Sequence, residues 1–303
     1  MQNFMLKKSI DVDVLCVGHA CYDLVFSVAK HPESDEKIFA DDLVSSGGGP
    51  AANAAIAVSK LGLKAAFAGY LGQDLYGEMH HQEFVDHQVD TQLVFRGVSP
   101  TPLSTVLVKP DGKRALVNYK GSTKALAENT IDFTRVKAKA ILLDGHEPHI
   151  SLKLAKLARS LNIPTILDAG SLHEGTEKLM DQVDYLVASE KFACQFGGDV
   201  TTALSYFSKM SPASVITLGE KGLIWQFGEQ KGELAAIKAD ICDTTGAGDA
   251  FHGAFAAAIA NNLEWPDVLR YSSVAGTLCC TKMGARQGLP SKQEHSELLG
   301  FYQ

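Results

Sequence analysis

The chain has 303 residues, and 46% of them are hydrophobic, which is enough for a buried core in one large domain or two smaller ones. Its net charge is −7, from 28 basic and 35 acidic residues, and the lack of a polybasic stripe excludes the common nucleic-acid-binding classes. No apolar run is long enough for a membrane span, and the first eight residues lack the apolar run of a signal peptide. We therefore expect a cytoplasmic protein with neither a membrane nor a nucleic acid as partner.

Cysteine and histidine spacing does not favour a zinc site. The six cysteines form no C-x-x-C pair, and we expect all of them to be reduced thiols. His80, His81 and His87 fall in a polar helical pattern and are predicted to be solvated. His146 and His149 flank Glu147 just after a predicted strand end. A metal cluster is one interpretation of these three residues, and a polar loop at a binding edge is the one that we favour.

Short apolar runs rich in β-branched residues alternate with segments of helical period. In chain order, we predict a strand at 13–17, a helix at 51–61, a strand at 64–70, a helix at 77–87, a strand at 138–143, a helix at 151–161, strands at 164–168 and 185–188, a helix at 200–209, a strand at 214–218 and a helix at about 252–260. Apolar strands separated by helices are typical of parallel sheets that are buried on both faces. The pattern therefore predicts a doubly wound α/β fold, with helices on both sides of a mostly parallel sheet.

Two segments interrupt this alternation with β-rich sequence that has no helical period, residues 22–44 and 94–119. Within the second, residues 103–108 and 114–119 flank Pro110, Asp111 and Gly112, a turn sequence that predicts an antiparallel hairpin. We interpret residues of about 22–46 and 94–121 as a small β lid over a cleft, because lids exclude water from group-transfer chemistry. A plain extension of the sheet edge is the alternative. No linker is visible, so residues 1–303 are expected to form a single α/β domain.

Residues 47–53 read GGGPAAN, three glycines followed by a predicted helix. Pro50 suits the first position of that helix, which places Asn53 one turn further in, facing whatever the glycines contact. An asparagine side chain offers both a donor and an acceptor, as the recognition of sugar hydroxyls requires. The plainer interpretation is a flexible connection between a strand and a helix, with Asn53 solvated.

Residues 243–251, with the sequence DTTGAGDAF, precede a helix of small residues. Glycines let a ligand approach the backbone closely, and the first amides of a helix form an anion site that would fit a phosphate. Asp249 falls in that first turn, where it could take a proton from an attacking hydroxyl while the amides hold the developing phosphoryl charge. A capped helix whose Asp249 complements the helix dipole is the alternative.

Residues 217–222, TLGEKG, follow a predicted strand and could line a nucleotide crevice or form a simple turn. Other nucleotide-binding motifs are missing from the sequence. It contains no G-x-x-x-x-G-K-[ST] loop, no G-x-G-x-x-G after the first strand and no protein-kinase signature.

Three segments together resemble the ribokinase or pfkB family of carbohydrate kinases. Residues 243–249 resemble its C-terminal signature, residues 47–53 its N-terminal glycine signature, and residues 281–290, TKMGARQGLP, its C-terminal region. The resemblance extends from about residue 12 to residue 292. It implies a ribokinase-like fold with a β lid, ATP with Mg²⁺ as phosphoryl donor, a sugar as acceptor, and a homodimer joined through the lids.

The resemblance also implies roles for individual residues. Asp249 matches the family's base, and its anion hole matches Gly246, Ala247 and Gly248. Sugar-contacting positions match Asp23, Gly48, Gly49 and Asn53, and positions of the nucleotide site match Thr217, Gly219, Gly222 and Ser189. A monovalent cation site, for K⁺ in ribokinase-like members, matches Asp243, Thr245, Cys279, Lys282 and Gly284.

Several departures from the family pattern bear on substrate and metal. Pro50 stands where ribokinase has Lys, which disfavours ribose, and Gly288 stands where ribokinase has Ser, which weakens the cation site. The family's N-x-x-E motif is SEKF here, from Ser189, which puts the handling of Mg²⁺ in question.

Within the family, the sequence is most similar to sulfofructose kinases and, more distantly, ketohexokinases. Lys37 and Asn118 fall at sulfonate-contacting positions, but a clamping arginine is replaced near His146. We therefore expect a neutral or phosphorylated ketose as acceptor. The alternatives are a sulfofructose kinase, a ribokinase, a nucleoside kinase of the same family, or a non-catalytic sugar-binding sensor.

Overall fold

The computed structural model describes residues 9–110 and 112–302, so residues 1–8, Gln303 and Asp111 of the predicted hairpin turn lie outside the description. The strands in this part of the chain are, in order, β1 (Ile10–Gly18), β2 (Cys21–Ser27), β3 (Asp42–Gly48), β4 (Ala65–Gly72), β5 (Asp90–Gly97), β6 (Leu103–Val108), β7 (Arg114–Tyr119), β8 (Val136–Leu143), β9 (Thr165–Ala169), β10 (Tyr185–Ser189), β11 (Ala213–Thr217), β12 (Leu223–Phe227) and β13 (Gln230–Leu234).

Helices connect most of these strands. They are α1 (Pro50–Lys60), α2 (Leu75–Asp86), α3 (Pro148–Ser160), α4 (Glu174–Leu179), α5 (Glu190–Gly197), α6 (Val200–Met210), α7 (Ala247–Ala260), α8 (Trp265–Cys279), α9 (Ala285–Gly288) and α10 (Lys292–Gly300). Prolines open α1 and α3, where the missing N–H removes no helical hydrogen bond. Side chains of Asp74 and Ser291 cap α2 and α10. None of the helices in the described residues is long and apolar enough to cross a membrane.

The large sheet has nine strands in the order β13-β12-β11-β10-β9-β8-β1-β4-β5. Pairing is parallel from β5 across to β11 and antiparallel only at the β11–β12–β13 edge. Each strand and helix predicted from periodicity overlaps an observed element, which confirms the alternation. The edge hairpin β12–β13 was not predicted, because its mixed polar sequence carries no clear period.

Both faces of the large sheet are covered by helices, as predicted. Along the central strand β1, Val14 and Cys16 face a core formed with α1, α7 and α8. Leu15 and Val17 face the opposite core, which α3, α5 and α6 complete. All four side chains are fully buried, because a strand at the centre of a doubly wound sheet has no solvent face.

A second sheet has four strands in the order β3-β2-β6-β7, and it includes the predicted hairpin as the antiparallel pair β6–β7. One correction concerns residues 94–97, which the sequence places with this segment. They lie instead in β5 of the large sheet, where Val94 pairs with Gly69 and Phe95 with Tyr70 of β4. The second segment of the small sheet therefore begins at β6.

The carboxyl ends of the parallel strands meet at one edge of the large sheet. Asp144 follows β8, Asp168 is the fourth residue of β9, Ser189 ends β10 and Thr217 ends β11. Open α/β sheets bind their ligands at this edge. The glycine-rich segments that precede α1 and α7 lie beside it, and they carry the predicted site residues.

Candidate active site

Two glycines, Gly246 and Gly248, form the N-terminus of α7. The first has no space for a side chain, and the second faces open space. Gly246 is the N-cap, with φ at 79°, and an added Cβ there would lie 2.5 Å from Cβ of Ala285. An added Cβ at Gly248 would meet no atom within 4 Å. Because the first amides of a helix have no intrahelical acceptor, this open end of α7 can bind an anionic group.

Asp249 lies in the first turn of α7 and contacts the other glycine motif through Asn53. Asn53 Nδ2 donates a hydrogen bond to Asp249 Oδ2 at 2.6 Å, across 196 residues of sequence. Small residues allow α1 and α7 to pack this closely, since a Cβ at Gly253 would lie 2.7 Å from the carbonyl oxygen of Ala54. Asn53 is only 3% exposed, so the predicted solvated alternative is wrong.

Burial, together with the nearby carboxylate of Asp168, raises the pKa of Asp249 to about 7, against the lowering effect of the hydrogen bond from Asn53. A carboxyl group with a pKa near neutrality is well matched to accepting a proton at physiological pH. The same environment thus provides both the position and the proton affinity of a general base.

The glycine loop, residues 47–49, lies against Asp23 of β2. An added Cβ at Gly48 would lie 2.0 Å from Asp23 Oδ2, so only glycine fits there. Gly49 has φ at 101°, and its added Cβ would lie 2.5 Å from the carbonyl oxygen of His19. Cys21 Sγ donates to Asp23 Oδ1 at 3.2 Å, and burial raises the pKa of Asp23. Asp23 also acts electrostatically on Asp249, which indicates that the two carboxyl groups share one site.

Arg286 is a buried cation beneath the glycine loop that sequence reasoning missed. Its Nε donates to Gly47 O at 3.0 Å and lies 3.5 Å from Glu83 Oε2, and its Nη2 donates to His80 Nε2 at 3.1 Å. His80 is therefore fully buried, and its predicted solvation is wrong because α2 turns this face towards the loop. Burial and the guanidinium of Arg286 lower the pKa of His80. The available signal was a lone arginine between small and apolar residues in TKMGARQGLP.

Asp144 is a second residue that the sequence did not reveal. Its Oδ2 accepts the amides of His19 at 2.7 Å and Ala51 at 3.2 Å, and its Oδ1 accepts the amide of His146 at 2.9 Å. This buried carboxylate thereby holds together the carboxyl ends of β1 and β8 and the first turn of α1. Glu147, three residues further along the chain, is also buried, which raises its pKa to about 7.

His146 belongs to a row of stacked imidazoles at the same edge of the sheet. Its ring centroid lies 5.0 Å from that of His19 and 4.4 Å from that of His173. Burial, together with the neighbouring His146, lowers the pKa of His19 to about 4. Lys120 and Lys124, which follow β7, line a narrow pocket together with His19 and His146. The described residues contain no group of three or more ligands placed to hold a metal ion.

Two further predicted sugar-contacting residues belong to the second sheet and its connections. Lys37 is exposed between β2 and β3. Asn118 is exposed on β7 opposite Ser104, which pairs in turn with Asp23 of β2, so Asn118 shares a face of this sheet with Asp23. The hydrogen bonds found in residues 9–110 and 112–302 do not join either side chain to Asp249.

The four predicted nucleotide-site residues lie at or just after the carboxyl ends of β10 (Ser189) and β11 (Thr217, Gly219 and Gly222). Gly219 and Gly222 have positive φ, 59° and 90°. The side chain of Ser189 is used locally, since its oxygen accepts Phe192 N–H at 3.0 Å and donates to Gly170 O at 3.0 Å. Glu190 pairs with Lys221 at 3.2 Å on the surface. This ion pair connects the first residue of α5 to the turn after β11.

The loop before α7 brings together three of the five predicted cation-site residues. Asp243 Oδ1 accepts the amide of Thr245 at 2.9 Å and its hydroxyl at 2.7 Å, and Asp243 Oδ2 accepts the amide of Gly284 at 2.9 Å. The side chain of Lys282 turns away and donates to Glu294 at 2.6 Å. Only the backbone of Lys282 could therefore serve a cation.

Backbone oxygens converge around Cys279. Its Sγ lies 3.6 Å from Thr245 O and 3.8 Å from Ala285 O. An added Cβ at Gly288 would lie 2.4 Å from Cys279 O, so the glycine that replaces the serine of ribokinase is required by this packing. Carbonyl oxygens of this kind are suitable ligands for a monovalent cation, and the donor set fits such an ion.

The arrangement can bind a phosphate at the N-terminus of α7 and accept a proton at Asp249, which receives a hydrogen bond from Asn53 and lies near Asp23. Residues 11–292 match the pfkB family carbohydrate kinase.

Proteins of known activity resemble the chain over most of its length. It is 28% identical to the ribokinase of Lactococcus lactis subsp. lactis over 285 residues, covering 93% of this chain and 95% of the relative. It is 28% identical to fructokinase-2 of Zea mays over 287 residues, covering 84% of this chain and 86% of the relative. The solved structure of Arabidopsis thaliana ribokinase complexed with ribose and ATP matches with a TM-score of 0.82 at 26% identity, covering 96% of this chain and 99% of that one. Because the family match covers nearly the whole described fold, the protein belongs to the pfkB family and is an ATP-dependent carbohydrate kinase with the ribokinase-like fold.

Proposed function

We propose that this kinase transfers the γ-phosphate of MgATP to a hydroxyl of a small ketose, with Asp249 as the general base. The observation that carries the proposal is the 2.6 Å hydrogen bond between Asn53 and Asp249. It brings the residue suited to a sugar hydroxyl next to the residue suited to deprotonate that hydroxyl. Both lie at the helix end that can hold the transferring phosphate.

In this mechanism, the oxygen of the acceptor hydroxyl attacks the γ-phosphorus of ATP and ADP leaves. Asp249 takes the proton that the hydroxyl loses. Asn53 fixes the orientation of the carboxylate through Oδ2, which leaves Oδ1 for the acceptor. The amides of Gly246, Ala247 and Gly248 stabilise the charge on the transferring group, as preorganised donors do at an oxyanion. The second sheet acts as a lid that excludes water, because hydrolysis of ATP would otherwise compete.

We place the nucleotide at the carboxyl ends of β10 and β11, where Thr217, Gly219 and Gly222 leave the backbone accessible, with Ser189 on the other side of the crevice. A monovalent cation such as K⁺ would be held by Asp243 and by backbone oxygens of Thr245, Cys279, Lys282 and Gly284. Its role would be to compensate charge next to the N-terminus of α7.

For the acceptor, Asp23, Gly48, Gly49 and Asn53 supply hydroxyl recognition, and the likeness to a fructokinase supports a ketose. A specific observation favours a second candidate, an acceptor that also carries an anionic group. The pocket lined by Lys120, Lys124, His19 and His146 holds two ammonium groups beside two imidazoles, together with the carboxyl group of Glu147. A phosphorylated or sulfonated ketose would place its anion at the ammonium groups, and Asn118, on the same face of the second sheet as Asp23, would contribute from the lid together with Lys37.

We also propose a homodimer that joins through the second sheets. On one face of this sheet, Val117 and Tyr119 of β7 and Leu43 of β3 are more than half exposed. Covering them would remove apolar surface from water. Sedimentation of the wild type should give a dimer, and Val117→Lys should give a monomer. A monomeric wild type at micromolar concentration contradicts this part of the proposal.

The decisive experiment is ADP release with MgATP against a panel of ketoses, aldoses, phosphorylated and sulfonated sugars, and nucleosides. A ketose should give turnover that falls by about 10³-fold or more in Asp249→Asn. Unchanged turnover in that variant would refute the assignment of the base. Sugar binding without ADP formation across the panel would instead favour the non-catalytic sensor.

A further inference from the structure

His252, one turn after Asp249 on α7, is buried with an oxygen acceptor at each ring nitrogen. Its Nδ1 lies 2.7 Å from Gly248 O and 3.3 Å from Asp168 Oδ2, and its Nε2 lies 3.2 Å from Val187 O. The side chain is 3% exposed, so water does not complete these contacts.

A neutral imidazole carries one protonated nitrogen and one lone pair. In either neutral tautomer, one nitrogen of His252 would therefore turn a lone pair towards an oxygen. With Asp168 ionised, both nitrogens are satisfied only in the imidazolium form, with Nδ1–H shared between Gly248 O and Asp168 and Nε2–H donated to Val187 O.

Asp168 supplies the matching negative charge. It is 4% exposed, and its Oδ1 accepts the amide of Gly170 at 3.0 Å. Within the part of the chain that the structure describes, its Oδ2 has no hydrogen-bond donor. His252 Nδ1, which carries positive charge only when the ring is protonated, lies 3.3 Å from this oxygen. A buried carboxylate oxygen without a donor is costly unless a cation lies beside it.

We propose that Asp168 and His252 form a buried carboxylate–imidazolium pair that positions Asp249 for proton transfer; this rests on the proposed role of Asp249 as base. The pair links β9, β10 and the first turn of α7, because His252 bonds both Val187 O and the carbonyl of Gly248, the residue before Asp249. Both are positioning residues, since they act on the reaction through Asp249.

The charges of Asp168 and His252 can be detected through their opposite effects on the pKa of Asp249. Asp168 raises the pKa of Asp249 and His252 lowers it. The other titratable groups that face Asp249 are Asp23 of β2, Arg286 of α9, and the thiols of Cys21 and Cys279. None of these is altered by substitutions at Asp168 or His252.

The first experiment reads the charge of His252 directly. The ¹⁵N resonances of the histidine rings are recorded on the intact wild type at pH 7.5, and those of His252 are assigned by their loss in His252→Gln. We expect both nitrogens of His252 to be protonated. A neutral tautomer at this pH overturns the inference, while leaving the assignment of Asp249 untouched.

The second experiment compares the dependence of kcat/KM on pH. Asp168→Asn should move the acid limb to lower pH, His252→Gln should move it to higher pH, each by about half a unit or more, and the double variant should lie near the wild type. Shifts in the same direction, or none, refute the pair. If the two residues had a purely structural role, the variants would lower kcat or stability without opposite shifts of the acid limb. Failure of the base assignment itself would appear separately, as turnover retained in Asp249→Asn.

Discussion

The junction of α1 and α7 differs sharply from the second sheet in how much of it water reaches. Residues 250–260 of α7 are buried without interruption, whereas each residue of β7 is exposed. Burial is what raises the pKa values of Asp249, Asp23 and Asp168. The second sheet buries a small apolar cluster, Val25, Val106 and Val108.

The junction is thus suited to holding charged groups in fixed positions, and the sheet is suited to moving. Substitutions at the junction should change stability and the chemical step, and substitutions on the sheet should change apparent affinity.

The largest expected effect on the junction side is that of Arg286→Gln. The substitution leaves the carboxylate of Glu83 partly buried without its cation and removes the donor to Gly47 O. We expect the free energy of unfolding to fall by about 3 kcal/mol in urea titrations. Arg270→Gln is the control, because Arg270 pairs with Asp267 near the surface and should change stability by less than about 0.5 kcal/mol. Equal losses in both variants would show that burial of the cation is irrelevant.

Asn53→Ala tests the contact that joins the two motifs. Losing a hydrogen bond to a carboxylate should lower kcat about 30-fold, equivalent to about 2 kcal/mol. Because this bond lowers the pKa of Asp249, the acid limb of kcat/KM should also move to higher pH. Asn261→Ala, at the exposed C-cap of α7, should leave both unchanged. A rise in KM at constant kcat would mean that Asn53 only binds the acceptor.

Asp249→Asn should make the protein more stable at alkaline pH. The pKa of Asp249 is raised to about 7 in the folded protein, so the folded state binds this proton more tightly than the unfolded chain does. The wild type therefore loses stability as the pH rises from about 4 to about 7, and the variant lacks this loss. At pH 8 we expect the variant to be about 1–2 kcal/mol more stable, and at pH 4 equal. Asp240→Asn, at an exposed site, should show no such dependence in the same denaturation series.

The smallest effect is expected on the sheet side, from Arg114→Ala. Arg114 opens β7 and donates to the hydroxyl of Thr245 in the loop before α7. Losing this exposed contact should raise the KM for ATP about three-fold, without changing the melting temperature. Lys231→Ala on the edge strand β13 is the matched control. A lowered melting temperature would contradict the contrast between the two regions, because it would make the sheet part of the rigid core.

Local sequence predicted much of the candidate site. Gly246, Gly48 and Gly49 were identified from the two glycine motifs and their resemblance to the family signatures, and the structure shows that close packing or positive φ requires glycine there. Asp249 and Asn53 were identified because they follow those glycines at helical spacing. The contact between them could not be predicted, since it joins residues that lie 196 positions apart.

The buried charges escaped sequence reasoning for a related reason. Arg286, Asp144 and the pair formed by Asp168 and His252 are polar residues in apolar surroundings. In the sequence they look like ordinary surface positions, because burial depends on elements that are distant in the chain. His80 was misjudged for this reason, as the face of α2 that carries it packs on the glycine loop.

The sequence by itself determined the alternation of strands and helices, the two glycine motifs and the class of chemistry, because periodicity and backbone freedom are properties of local segments. Tertiary structure alone decided that residues 94–97 join the large sheet, that Ser189 caps a helix and that Lys282 pairs with Glu294. It also decided the proton affinity of Asp249. That property arises from desolvation and from charges on β2, β9 and α9, which come together only when the chain is folded.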